Sequence, residues 1–120
     1  MARPRAFDEH VVLSQARTLF ANQGYNGTSV HDLVKATGLL RGSLYKAFGS
    51  KRNLFELVLT EVATNFEQSA ENLDLLTVAL KDLASDDDRI RRLCLNIAGQ
   101  DDVGFANLLG TNLLAKTKEK

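Results

Sequence analysis

The feature that most limits the fold of this sequence is the position of its only proline. Pro4 stands at the very start, so the rest of the chain is free of proline. Proline breaks a helix interior because it lacks a backbone N–H and clashes with the preceding turn. Beyond it, apolar residues recur at intervals of three and four, the pattern of amphipathic helices, and no alternating strand pattern is present. The sequence therefore predicts an all-α protein of about seven helices.

Capping residues set the expected bounds of the N-terminal helices. The first helix should span residues 8–23, with Asp8 as its N-cap, and the second 29–36, where Ser29 and Asp32 weakly resemble a capping box. A short third helix should span 40–47, and Ser50 should open a long fourth helix. Four apolar stripes line the fourth and later helices: Phe55, Val58, Leu59, Val62 and Phe66; Leu73, Leu76, Leu80 and Leu83; Ile90, Leu93, Cys94 and Ile97; and segment 105–114.

The third predicted helix is too short to be stable alone, because nucleation outweighs so few hydrogen bonds. At 100° per residue, Leu40, Leu44 and Phe48 fall on one side of it. Together with Leu39, we expect these residues to dock the helix on the first two helices. The opposite side is left for a partner and carries Gly42, Ser43, Tyr45 and Lys46.

The second and third helices, joined through the glycine-containing turn "TGL", form a predicted helix-turn-helix unit. The major groove of B-DNA admits an α-helix, and the first residues of such a helix reach the bases. We expect Arg41, Ser43 and Lys46 in the base-reading region and the Tyr45 hydroxyl on a phosphate. Gly42 would let the backbone approach closely. The alternative is a half-buried Tyr45 beside basic side chains that are merely solvated.

Two helix N-termini are predicted to bind backbone phosphates, because free N–H groups and the helix dipole favour anions there. Lys51 and Arg52 start the fourth helix, and Ser29 caps the second. A basic arm with Arg3 and Arg5 either touches DNA or is a plain terminus. We therefore expect a DNA-binding domain over residues 1–50 and a helical regulatory or dimerisation region over 51–120.

Charge and composition narrow the function classes. The formal net charge is zero, but residues 1–57 carry +4 and residues 58–120 carry −4, which favours a polyanion partner for the first half. The single cysteine, Cys94, excludes an internal disulfide, favours a reducing cytoplasm and is expected to be a buried thiol. No membrane span, cofactor or metal site is expected. The sequence contains no nucleophile–base pair and no phosphate-binding loop at a spacing that would indicate an enzyme.

Segment 16–59, "ARTLFANQGYNGTSVHDLVKATGLLRGSLYKAFGSKRNLFELVL", strongly resembles the DNA-binding domain of the TetR family of bacterial transcription regulators. The pattern "LF", "GY", "TS", a helix ending in "A-x-G", "GSLYxxF" and "SKxxLF" carries the resemblance, and other stretches look like an AcrR-like branch. The resemblance implies phosphate contacts by Ser29, Tyr45 and Lys51. It also implies a homodimeric repressor that releases an inverted-repeat operator when a small, apolar effector binds.

Two departures from the family pattern affect these expectations. Leu40 stands where a polar residue is common, and Lys120 falls where the family's dimerising helices are still to come. The alternative function is therefore a shortened interaction module that pairs with a full-length relative and modulates its DNA binding. A homodimer would present two reading helices about 34–36 Å apart, one DNA turn, or a multiple of this.

Overall fold

A computed structural model describes residues 7–118, so the predicted basic arm with Arg3 and Arg5 lies outside the described residues. The described chain contains helices and no strand, which confirms the all-α class. No helix within 7–118 is long and apolar enough to cross a bilayer. The seven helices are α1 (Glu9–Gln23), α2 (Val30–Thr37), α3 (Arg41–Phe48), α4 (Lys51–Thr64), α5 (Ala70–Asp82), α6 (Asp88–Ala98) and α7 (Asp102–Thr117).

Side-chain caps start the helices where the sequence predicts them. Asp8 accepts a hydrogen bond from the backbone N–H of His10, and Ser50 accepts one from that of Asn53. Ser29 forms a complete capping box, because its hydroxyl and the Asp32 carboxylate each accept the other residue's N–H at 3.0 Å. These local bonds explain why the predicted N-termini of α1, α2 and α4 are confirmed.

Helix α3 is stabilised by packing, as predicted, although not by every residue expected. Leu44 and Phe48 are buried, and the Phe48 ring contacts the Phe7 ring at a centroid distance of 6.3 Å. Leu39 packs partly buried against the same core. The prediction that Leu40 docks α3 is wrong, because 76% of Leu40 is exposed. Leu40 is the N-cap with extended backbone (φ −68°, ψ 151°), so the 100° helical rotation does not apply to it.

One continuous hydrophobic core extends from α1 to α7. Helix α1 packs against α2, α4 and α5, and its Phe20 ring meets the Phe55 ring edge-on at 5.0 Å. The expected division after residue 50 therefore crosses a shared core, with α1 in contact with helices on both sides of it. This arrangement fixes the α2–α3 pair on a scaffold built largely from α1 and α4.

The C-terminal helices follow the predicted stripes with three exceptions. Leu80 is exposed although it was expected to line α5, Phe66 lies beyond the end of α4, and Leu83 lies beyond the end of α5. The buried side of α5 turns instead through Leu75, Leu76 and Ala79. Cys94 on α6 is buried as predicted, and burial raises the pKa of its thiol to about 11.

Candidate nucleic-acid interface

Helices α2 and α3 are joined by three residues, Gly38, Leu39 and Leu40. Gly38 has φ +74°, and its N–H donates to the carbonyl of Val34, which ends α2 in the left-handed conformation that glycine adopts at little cost. The chain can then turn sharply into α3. A pair of helices with a glycine-containing turn of this length is a helix-turn-helix unit.

The side of α3 opposite the core is open to solvent, as the sequence predicts. Gly42, Ser43 and Lys46 are exposed, and Tyr45 is 39% exposed. A Cβ atom built on Gly42 would meet nothing within 4 Å. This face therefore offers a small residue at its outer edge, a hydroxyl, a phenol and a cation, while its back is fixed in the core.

Basic residues on α2 and α3 have no acidic partner among residues 7–118. Lys35, Arg41 and Lys46 are exposed and form no ion pair or side-chain hydrogen bond there. Some cations elsewhere are paired with carboxylates, such as Arg17 with Glu71 and Lys116 with Asp74. The helix-turn-helix unit consequently presents unpaired positive charge to an external polyanion. Lys35, near the C-terminal end of α2, belongs to this group of cations although no motif in the sequence pointed to it.

The backbone N–H and the hydroxyl of Ser29, which are the groups that could bind a phosphate, already form hydrogen bonds with Asp32. The Ser29 N–H donates to Asp32, and that bond is the main cause of a lowered Asp32 pKa. The hydroxyl oxygen accepts from the Asp32 N–H, and a hydrogen bond from the Ser29 side chain to the Asp32 carboxylate is the second cause of that lowered pKa. The predicted phosphate contact therefore requires the Ser29 hydroxyl to turn from Asp32 towards the phosphate.

Lys51 reaches back over the α1–α2 turn. Its ammonium donates to the carbonyls of Tyr25 (3.0 Å) and Thr28 (2.9 Å) and lies 4.1 Å from the centre of the Tyr25 ring. Burial lowers the pKa of Lys51, opposed by the charge of Asp82. An ammonium has three N–H groups, so one is left for the predicted phosphate. The carbonyls, rather than an external anion, account for a lysine at this helix start.

Arg52 does not contribute a free cation to this site, contrary to expectation. Its guanidinium donates two 2.7 Å bonds to Asp87, the N-cap of α6, and a third bond to Glu56. These hydrogen bonds from the Arg52 guanidinium lower the pKa of Asp87 to about 2. Arg52 therefore links α4 to α6. Its charge is balanced within the chain.

Asp82 supports the turn between α1 and α2, a role that no sequence motif indicated. This last residue of α5 accepts hydrogen bonds from the backbone N–H groups of Tyr25 (3.0 Å) and Asn26 (3.3 Å). Lys51 and Asp82 together fix the turn that precedes α2. Because Asp82 is 56 residues away along the chain from Asn26, no local pattern could reveal it.

The fold and the exposed face of α3 define a helix-turn-helix domain of the DNA-binding class. Residues 12–58 match the family model described as bacterial regulatory proteins, tetR family. Over these 47 residues the chain is similar to the TetR family, as its sequence resemblance predicts.

Three relatives extend this comparison. YezE of Bacillus subtilis strain 168, an uncharacterised HTH-type transcriptional regulator, is 46% identical over 46% of this chain and 28% of its own length. The HTH-type transcriptional repressor ComR of Escherichia coli K12 is 41% identical over 58% of this chain and 33% of its own. The HTH-type transcriptional repressor AcnR of Corynebacterium efficiens is 31% identical over 72% and 45%.

The chain thus spans about a third of the length of YezE and ComR. The match to AcnR covers 86 residues, more than the 47 residues of the family model, so similarity is not confined to the helix-turn-helix. No solved structure matches the chain.

Proposed function

We propose that this chain is a sequence-specific DNA-binding transcription regulator that acts as a repressor and has no catalytic activity. The observation that carries the proposal is the division of α3, whose apolar side is buried while Gly42, Ser43 and Lys46 face solvent. An α-helix anchored in this way can enter the major groove without losing its packing. The names of ComR and AcnR, which describe transcriptional repressors, support the same class.

The proposed contacts divide into two kinds. Arg41, Ser43 and Lys46 read base edges at the start and outer side of α3, and Gly42 lets the helix approach closely. Tyr45 donates its hydroxyl to a phosphate. Ser29 contributes its hydroxyl and Lys51 its remaining N–H to the backbone of the duplex. The contacts of Arg41, Ser43, Tyr45 and Lys46 rest on exposure and on the absence of side-chain partners within residues 7–118. Ser29 also bonds Asp32, and Lys51 also bonds two backbone carbonyls.

Selection from random-sequence DNA tests this function directly. We expect the chain to enrich an inverted repeat. Each phosphate neutralised by a Lys or Arg side chain should weaken binding by about three- to fourfold between about 50 and 200 mM salt, because counterions are released there. Lys46→Ala should weaken binding and relax base preference, whereas Tyr45→Phe should weaken binding to all sequences alike. Recovery of unrelated sequences, or both variants binding like the parent, would overturn the proposal.

We also propose that two copies pair through α7. One flank of this helix is apolar and largely uncovered within residues 7–118. Val103 and Leu114 are exposed, and Leu113, also exposed, lies at the edge of the flank beside a groove against α1 and α5. Ala106 and Gly110 lie between them, and all five fall within a stripe roughly 100° wide. The opposite flank packs on α5, where Asp74 binds Asn112 and Lys116 at 2.7 and 2.8 Å.

A second copy is the occupant that this stripe fits best, because the stripe complements itself in an antiparallel pair. Such a pair places the exposed Asp102 at the N-terminal end of one α7 near the exposed Lys118 at the C-terminal end of the other. It also opposes the two helix dipoles favourably. A full-length relative offers a second occupant, and the oligomeric state of the isolated chain distinguishes the two.

The small apolar effector of such a regulator would fit the groove between α5 and the other flank of α7. This groove has a volume of about 410 Å³ and combines apolar side chains such as Leu73 and Leu108 with the amides of Gln68 and Asn107. A small, largely apolar molecule with one or two polar groups suits that lining. We place the whole assembly in the bacterial cytoplasm, where its operator would be.

A further inference from the structure

Leu40 is more exposed than any other large apolar side chain among residues 7–118, at 76%. It stands directly before Arg41, at the N-terminal end of α3. Its neighbour Leu39 is partly buried against the core and supplies the docking contact at this point. The leucine side chain therefore contributes little to the packing of the chain.

Leu40 has no capping role either. It is the N-cap of α3, yet no side-chain hydrogen bond caps this helix, and only its carbonyl contributes by accepting from the N–H of Leu44 at 3.0 Å. Serine, threonine, asparagine or aspartate at this position would stabilise the helix through such a bond. A large, exposed leucine here is thus explained neither by packing nor by capping.

We propose that Leu40 contacts the C5-methyl group of a thymine and so determines part of the base preference. The proposal rests on the proposed function, in which the start of α3 lies in the major groove. Residues at this end of a recognition helix meet base edges, and thymine is the one base that presents a methyl group there. The basic and hydroxyl side chains of Arg41 and Ser43 cannot read that group, whereas a neighbouring aliphatic side chain can.

Replacing single thymines by deoxyuridine tests the contact, because uracil differs from thymine only by the missing methyl. The probe is the duplex recovered from random-sequence DNA, with each thymine replaced in turn. We expect one position in each half-site at which the parent binds about fourfold more weakly, the factor for losing one methyl-sized apolar contact. Leu40→Ala should bind the thymine duplex more weakly than the parent does and should not distinguish thymine from uracil at that position.

Leu95→Ala is the matched control, since Leu95 is an exposed leucine on α6, outside the helix-turn-helix. It should keep the parent's full sensitivity to the missing methyl. The proposal is overturned if no substitution affects the parent, or if Leu40→Ala remains as sensitive as the parent. Failure of the parent to enrich any sequence would instead overturn the proposed function, so the two failures are distinguishable.

Discussion

Lys46 and Lys51 show how the environment of a single residue decides its role. Both are basic residues on predicted helices, and the sequence assigns both to the duplex. Lys46 is exposed and unpaired within residues 7–118, whereas Lys51 bonds two backbone carbonyls of the α1–α2 turn. The difference arises from a tertiary contact between segments 23 or more residues apart, which no local pattern reports.

Lys51→Met should destabilise the free protein, because methionine keeps an apolar stem but leaves the Tyr25 and Thr28 carbonyls without this donor. We expect a loss of about 1–2 kcal/mol in the free energy of unfolding, measured in urea without DNA. Lys46→Met is the control and should change it by less than about 0.5 kcal/mol. Equal stability of the two variants would contradict the structural role of Lys51.

At the scale of helices, caps and packing were predictable to different extents. The N-termini of α1, α2 and α4 follow from capping bonds within three residues, so their positions can be read from the sequence. Leu40 and Leu80 were misplaced because a stripe drawn at ideal spacing ignores where a helix begins and which neighbours it meets. The exposed face of α3 was predictable because Leu44 and Phe48 define its buried face, and the opposite face of a helix on the surface is then open to solvent.

Links between helices were not predictable, and the strongest joins α4 to α6. Arg52 and Asp87 form two parallel hydrogen bonds of 2.7 Å, and both side chains are partly buried. The Arg52 guanidinium lowers the pKa of Asp87 from 3.8 to about 2. Because the unfolded chain binds a proton more readily between these values, the contribution of the pair is complete above about pH 4. It is lost as the pH falls through about 2.

Asp87→Asn should therefore lower the free energy of unfolding at pH 7 by about 1 kcal/mol, after allowing for screening by solvent. Asparagine also caps helices, so the change mainly removes the charge. In urea titrations at several pH values, the gap between parent and variant should close as the pH falls from 4 towards 2. Asp86→Asn, at an exposed neighbour, should behave like the parent. A gap that stays constant with pH would contradict the ion pair.

At the scale of the whole molecule, α7 is the helix with the least burial. Leu109 is its one buried residue, and the flank that does not face α5 is apolar and exposed. Such a helix gains stability when its free flank is covered. Helix α7 has leucines on both flanks, so the sequence pattern alone could not show which flank packs against α5.

Leu114→Glu should convert the proposed dimer to a monomer, because a carboxylate cannot be buried in an apolar stripe without a partner. Leu95→Glu adds the same charge at an exposed leucine of α6 and should leave the dimer intact. Sedimentation equilibrium over a range of concentrations measures both. A monomeric parent would contradict self-association and favour pairing with a longer relative.

Gly42→Glu tests the central claim, that the outer face of α3 meets DNA. The position is exposed, without atoms near a new Cβ, and in the first turn of α3, where a carboxylate favours the helix. We expect undiminished stability in urea and DNA binding weakened by about a hundredfold or more through repulsion by phosphates. Asn96→Glu, on the exposed surface of α6, adds the same charge and should bind DNA nearly as the parent does. Equal DNA affinities of these two variants would contradict the account.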